Sequence, residues 1–167
     1  AALGLLQGVL VGTLATVVLF AINYSQIQVV RSCLSRANYQ SNVQRSPYHQ
    51  EYLQAHGEEI YILKLQGFLF FGTAFKLLQT VRQRAQNSDL ADLNYLVLDF
   101  RLVHGIDSSA LNSFTRMRHL AASHGFTIAL AHLSEQLKKQ LTEGHIIDPE
   151  GKLVVTFNDI DHAVAWC

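Results

Sequence analysis

The sequence predicts an α/β domain, with helices packed against a central and mostly parallel sheet, preceded by a transmembrane helix. Three observations carry that prediction. Residues 1–30 contain no Asp, Glu, Lys or Arg, in a chain of 167 residues that otherwise holds 13 acidic and 13 basic side chains. From residue 58 onward, strand-like and helix-like patterns alternate to the last residue, as packed layers of strands and helices require. The stretch "LNYLVLDF" is apolar enough to be buried on both faces, as an inner parallel strand must be. The expected organisation is a transmembrane end at 1–30, a cytosolic linker at 31–57 and a globular domain at 58–167.

The first element is "LGLLQGVLVGTLATVVLFAI", residues 3–22, in which Gln7, Thr13 and Thr16 are the only polar members. Twenty helical residues reach about 30 Å, the thickness of a bilayer's hydrocarbon core. A secretory signal would need a basic leading segment, which is missing. Gly4, Gly8 and Gly12 recur every fourth residue, with Thr16 continuing the row. That spacing makes a small-residue face against which a further membrane helix can pack closely. Tyr24 suits the membrane interface. Arg31, Arg36 and Arg45 precede the first acid, Glu51, which places the exit from the membrane on the cytosolic side.

The connector is polar and includes Pro47, with a helical turn expected in "YHQEYLQAHG". "EIYILKLQG" reads as a strand with Ile60 and Ile62 on one face, and "FLFFG" as a second short strand. "TAFKLLQTVRQRAQ" has helical spacing, with Phe75, Leu78 and Val81 on its inner side. After the buried strand, "SSALNSFTRMRHLAASHG" reads as a helix with Leu111, Phe114, Met117 and either Leu120 or Ala121 inward, closed by Gly125. "FTIALAH" is a strand, "SEQLKKQLTEG" a helix capped by Ser134 and ended by Gly144, "LVVTF" a strand, and "NDIDHAVAWC" a helix behind Asn158. The order is β-β-α-β-α-β-α-β-α.

Composition excludes several functions. Net charge is zero and no basic stripe is visible, so nucleic acid is not an expected partner. The two cysteines, Cys33 and Cys167, form neither a disulfide framework nor a metal spacing, which suits a reducing cytosol. The eight histidines include no paired-ligand motif; no metal and no cofactor are expected. "GFLFFGT" has the two glycines of a phosphate loop but lacks its lysine, so it reads as a strand hairpin with its phenylalanines in the core.

The chemistry-bearing motif is "GIDSSALNSF", where strand gives way to helix. A catalytic serine on such a turn would sit in a GxSxG frame beside a base, and Ile106 to Ala110 supply neither glycine; no enzyme is expected. Asp107 is suited to cap the helix by accepting from the amide of Ser109 or Ala110, and its charge suits the helix dipole. Ser108, at the first helical position, faces free amide donors. A phosphate there could be held by those amides, or could repel a partner through its charge beside Asp107.

"YLVLDFRLVHGIDSSALNSFTRMRHLA", with "ILKLQGFLFFGTA" before it, resembles the STAS domain, named for sulfate transporters and anti-sigma factor antagonists. With the glycine-spaced helix and the segment "NYSQIQVVRSCLSRANYQSNVQRSP", the chain is similar to the SulP family of anion transporters. The resemblance implies the end of the last membrane helix plus the cytosolic STAS domain of a secondary-active transporter of sulfate, bicarbonate, chloride or dicarboxylate. It also implies an integral membrane protein that forms a homodimer, contacts the rest of its transmembrane domain and meets a cytosolic regulatory protein. In the antagonists the serine after the Asp is phosphorylated by a kinase, and that position is Ser108 here, with Asp107 and Ser109 flanking it. Two departures stand against that transfer: Ala110 replaces the usual glycine, and "LQGFLFF" lacks the antagonists' acid. The alternative is a membrane-tethered phospho-switch that binds a kinase or regulator.

Overall fold

The structure is a computed structural model describing residues 2–25, 29–35, 59–147 and 151–167; side chains before residue 59 are described at positions 4, 6–20, 29 and 30. In chain order the elements are α1 (Ala2–Ser25), β1 (Val30–Ser35), β2 (Ile60–Leu69), α2 (Phe71–Ala85), β3 (Tyr95–Ile106), α3 (Ser108–His124), β4 (Thr127–Ala131), α4 (Glu135–Glu143), β5 (Val154–Phe157) and α5 (Ile160–Trp166).

Five strands form one sheet in the order β1-β2-β3-β4-β5. β2 to β5 are parallel, and β1 is added antiparallel at one edge. Each parallel strand lies next to the one that follows it, so right-handed crossovers put α2, α3 and α4 on a single face. The larger core cluster confirms this, joining Leu63 and Leu65 of β2, Leu96, Leu98 and Phe100 of β3, and inward residues of all three helices. The opposite face is covered by α5, where Ile160, Ala163 and Val164 meet Ile60, Ile62, Val97, Ala129 and Ala131. β3 is therefore buried on both faces, with alternate residues feeding the two clusters.

The strand count expected from sequence was five, and five form, but two of them differ from the expected set. "FLFFG" is neither a separate strand nor the arm of a hairpin, and Phe68 and Phe71 are exposed rather than in the core. β2 runs unbroken from Ile60 to Leu69, kinks at Gly67 (φ 80°), where the register with β3 shifts, and gives way to α2 from Phe71. The fifth strand is β1, drawn from the segment expected to be linker. Cys33 lies opposite Leu63 in the ladder, and Val29 belongs to the core. The sheet therefore takes in residues 30–35, which lie before the expected start of the globular domain at 58. A six-residue strand reading Val-Arg-Ser-Cys-Leu-Ser carries no apolar alternation to reveal it. The turn expected in "YHQEYLQAHG" and the side chain of Cys33 lie outside the described residues.

On α2 the inward row is Ala74, Leu77, Leu78 and Val81, whereas Phe75 faces out. α3 places Phe114, Met117, Leu120 and Ala121 inward, leaves Leu111 partly buried, and ends on Gly125 in the left-handed region (φ 77°). Ser134 caps α4 through the Leu137 amide, and Gly144 closes it. At α5 the cap is Asp159, one residue later than expected.

α1 is 24 residues long, about 36 Å. Every side chain described on it is exposed, and the hydroxyls of Thr13 and Thr16 donate to the carbonyls of Val9 and Gly12. Over the described residues alone, no helix is long and apolar enough to cross a membrane. A side chain at Gly4, Gly8 or Gly12 would meet nothing within 4 Å, so among the described residues nothing closes on that face.

α5 is short, and its cap carries a charge. Asp159 accepts from the His162 amide at 2.7 Å and lies 2.6 Å from the His162 ring. The backbone bond from His162 is the main reason its carboxyl sits below the ordinary value, with desolvation opposing and the ring assisting. A group depressed in the folded state adds stability above its unfolded pKa and loses it as pH falls through its folded value. The single tryptophan, Trp166, packs on Tyr95 and Phe157 and reports whether α5 is docked. We expect Trp166 emission to shift to the red on acidification below the ordinary carboxylate range. Asp159→Asn, which keeps the cap without the charge, should flatten that response in a fluorescence titration.

Candidate functional site

β2 and β3 end side by side. The amide of Asp107 donates to the carbonyl of Leu69 at 2.9 Å, so α2 and α3 start next to each other at one end of the sheet. Asp107 holds an extended cap conformation (φ −93°, ψ 164°), and its Oδ1 accepts from the Ala110 amide at 2.8 Å and from the Ser109 hydroxyl at 2.6 Å. Ser109 Oγ in turn accepts from the Phe71 amide at 3.1 Å, 38 residues earlier in the chain. One carboxylate therefore caps α3 directly and α2 through a hydroxyl. Thr73, almost wholly buried, adds a second cap for α2 by accepting from the Phe70 amide at 2.9 Å.

The three residues singled out at this motif come together but separate by role. Asp107 and Ser109 are committed to the two helix starts. Ser108 is exposed, and among the described residues no hydrogen bond engages its hydroxyl. Around it, Gly105 leaves room for Phe68: a Cβ at 105 would stand 2.7 Å from the Phe68 ring. Phe71 stacks on Phe75 with ring centroids 6.1 Å apart. On the far side, Gln140 of α4 donates to the carbonyl of Ile106 at 3.4 Å. Gly4, Gly8 and Gly12 belong to α1 and take no part in this arrangement.

One polar pair had no signal in the sequence. Asp99, only 3% exposed on β3, accepts from the Arg101 amide at 3.0 Å and lies 2.9 Å from Nδ1 of His132, a residue in the left-handed region (φ 56°) just after β4. The two are 33 residues apart, and only the β3–β4 pairing joins them. Among the described residues, no group of three or more His, Cys, Asp or Glu side chains is placed to hold a metal ion.

A parallel sheet with sequential crossovers and a serine-bearing helix start at the β3 end matches a family model described as the STAS domain, over residues 53–163. The chain belongs to the STAS domain family. Among curated proteins it is 28% identical, over 96% of its length, to the vacuolar basic amino acid transporter VSB1 of Saccharomyces cerevisiae, of which it covers 16%. Among solved structures it resembles murine Solute Carrier 26 family member A9, an anion transporter in the inward-facing state, with TM-score 0.64 and 20% identity over 96% of this chain and 25% of that one. It also resembles a putative anti-sigma factor antagonist from Thermotoga maritima, with TM-score 0.53 and 19% identity over 65% of this chain and 87% of that one. The chain thus spans a small part of its transporter relatives and most of a free-standing STAS domain.

Within the STAS domain, the Asp107 carboxylate is the capping group whose removal frees most donors. Asp107→Ala should cost about 1–2 kcal/mol in chemical denaturation, the range for a lost N-cap. Asp107→Asn, which can still accept from the Ala110 amide, should retain most of that stability. Ser108→Ala should be close to neutral.

Proposed function

We propose that this chain is the regulatory and assembly end of a secondary-active inorganic anion transporter, of the sulfate, bicarbonate, chloride or dicarboxylate class: the last membrane helix followed by its cytosolic STAS domain. The observation that carries this reading is α1 and its junction. Read over its whole sequence, α1 is a 24-residue helix without a charged side chain and apolar on all sides, and its described side chains are exposed. A helix that is hydrophobic all round belongs in a protein core or a bilayer. The fold likeness supports the same reading, since it extends over 96% of the chain for the transporter but over 65% for the antagonist. On this reading the open face at Gly4, Gly8 and Gly12 receives other helices of the transporter, and the protein works as a homodimer in the membrane.

The test is uptake by the intact transporter in proteoliposomes, with and without residues 58–167, using sulfate, bicarbonate, chloride and dicarboxylates. Lysine and arginine belong in the panel because the curated relative is named for basic amino acids. Uptake of an anion that changes when the domain is removed is the expected result. Uptake of basic amino acids in place of anions would replace the substrate class and leave the architecture standing.

A second reading rests on Ser108, whose exposed hydroxyl stands at a helix start with no partner of its own. A phosphate would bring about −1.5 to −2 charges beside Asp107, enough to alter a docking surface. In this reading the domain is a membrane-tethered phospho-switch for a kinase or regulator. Intact-mass analysis of protein purified from cells should then find a phosphate that Ser108→Ala removes; its absence under every growth condition would leave the transporter reading alone.

A further inference from the structure

Outside α1, the large apolar side chains exposed among the described residues are Phe68, Phe71, Phe75, Leu90, Leu102 and Trp166. Phe68, Phe71, Phe75 and Leu102 share one end of the molecule, on the extension of β2 and β3 past β4 and on the start of α2. Exposures of 45% for Phe68 and 61% for Phe71 are high for phenylalanines, and a grouped apolar surface of this kind marks a contact site.

The chain path says what lies near it. β1 runs antiparallel to β2, entering opposite Leu65 and leaving opposite Tyr61. Val29, just before β1, accepts at its carbonyl from the Gln66 amide at 2.9 Å, two residues before Phe68. α1 ends at Ser25. Four Cα steps from Ser25 to Val29 cover at most about 15 Å. The aromatic end of the sheet is therefore the end at which α1 joins the domain.

Charge agrees with a membrane. Lys76, Arg101 and His104 are exposed at this end, and among the described residues the acids beside them, Asp99 and Asp107, are held by hydrogen bonds within the domain. Phenylalanines flanked by basic side chains are the composition that binds an anionic headgroup surface.

We propose that Phe68, Phe71 and Phe75 sit in the headgroup region of the bilayer beside the exit of α1, with Arg101 and Lys76 facing anionic lipid. This rests on the reading of α1 as a membrane span. The docked surface holds the start of α2, and with it the Phe71 amide that binds Ser109, against the membrane.

The test uses the full chain in vesicles of mixed phosphatidylcholine and phosphatidylglycerol, with Phe71→Trp placed in a Trp166→Phe background. Alkaline carbonate washing asks whether α1 is inserted, and lipids brominated near the headgroup ask whether position 71 touches the bilayer. The expected result is retention after washing, with strong quenching of the indole at position 71 and little quenching of Trp166 in the unmodified chain. Retention without quenching at position 71 overturns the proposal and leaves α1 in the membrane. Loss on washing removes the reading of α1, and the proposal falls with it. Circular dichroism of the variant, matched to the unmodified chain, secures the comparison against misfolding.

Discussion

The parallel pairing of β2 with β3 is the constraint on which the rest of the structure depends. From Leu96 to Phe100, β3 is buried on both faces, so it can serve as the inner strand for two core clusters at once. β4 accompanies it only as far as Asp99, yet β3 continues to Ile106 with β2 alone beside it. The platform carrying the two helix starts is thus two strands wide. A narrow platform leaves backbone donors at the helix starts without ladder partners, and those donors must be satisfied locally. Asp107, Ser109 and Thr73 meet that need.

The capping arrangement also decides which serine is open to change. The Ser109 hydroxyl has one proton, given to Asp107, and it accepts from the Phe71 amide. Both of its functions are in use, and a substituent there would break the link between α2 and α3. Ser108 is exposed and takes no part in the hydrogen bonds of this network, so a group added to it leaves both caps intact and changes the charge of the surface. A modification at 108 would therefore act on a partner rather than on the fold. Asp107 limits that action, because its carboxylate already occupies the Ala110 amide that a phosphate would otherwise take.

What could be read from the sequence followed the strength of local pattern. β3, α3 and α4 carry long periodic runs with caps at both ends, and they form where Asp107, Gly125, Ser134 and Gly144 place them. At β2 the pattern was misleading: Gly67 looked like the turn of a hairpin, but it is a kink that the parallel partner β3 holds in line. Phe75 was assigned to the core by its helical spacing with Leu78 and Val81, and it faces outward because Ala74, Leu77 and Leu78 fill the inner side. β1 could not be read, since its sequence shows no apolar alternation and its pairing partner β2 lies far along the chain. At the site, Asp107 as a cap was legible because capping spans three residues. The contacts Ser109–Phe71 and Asp99–His132 were not, because each joins segments more than thirty residues apart.

α1 and the domain differ in where their stabilising partners lie. The sheet and its helices bury their apolar residues within the chain, leaving residues such as Leu63, Leu98 and Leu130 almost fully enclosed. On α1 the apolar side chains described from Leu6 to Phe20 are all more than half exposed. Burying a leucine or valine from that state is worth on the order of 1 kcal/mol or more. Summed along the helix, the gain is comparable to the net stability of a whole domain, about 5–15 kcal/mol. A gain of that size in water would drive association, and among the described residues nothing else in the chain covers these side chains of α1. The bond from Gln66 to Val29 then fixes where α1 meets the domain: at the end of β2, next to Gly67 and the paired helix starts. The candidate site and the attachment to α1 therefore share one end of the sheet.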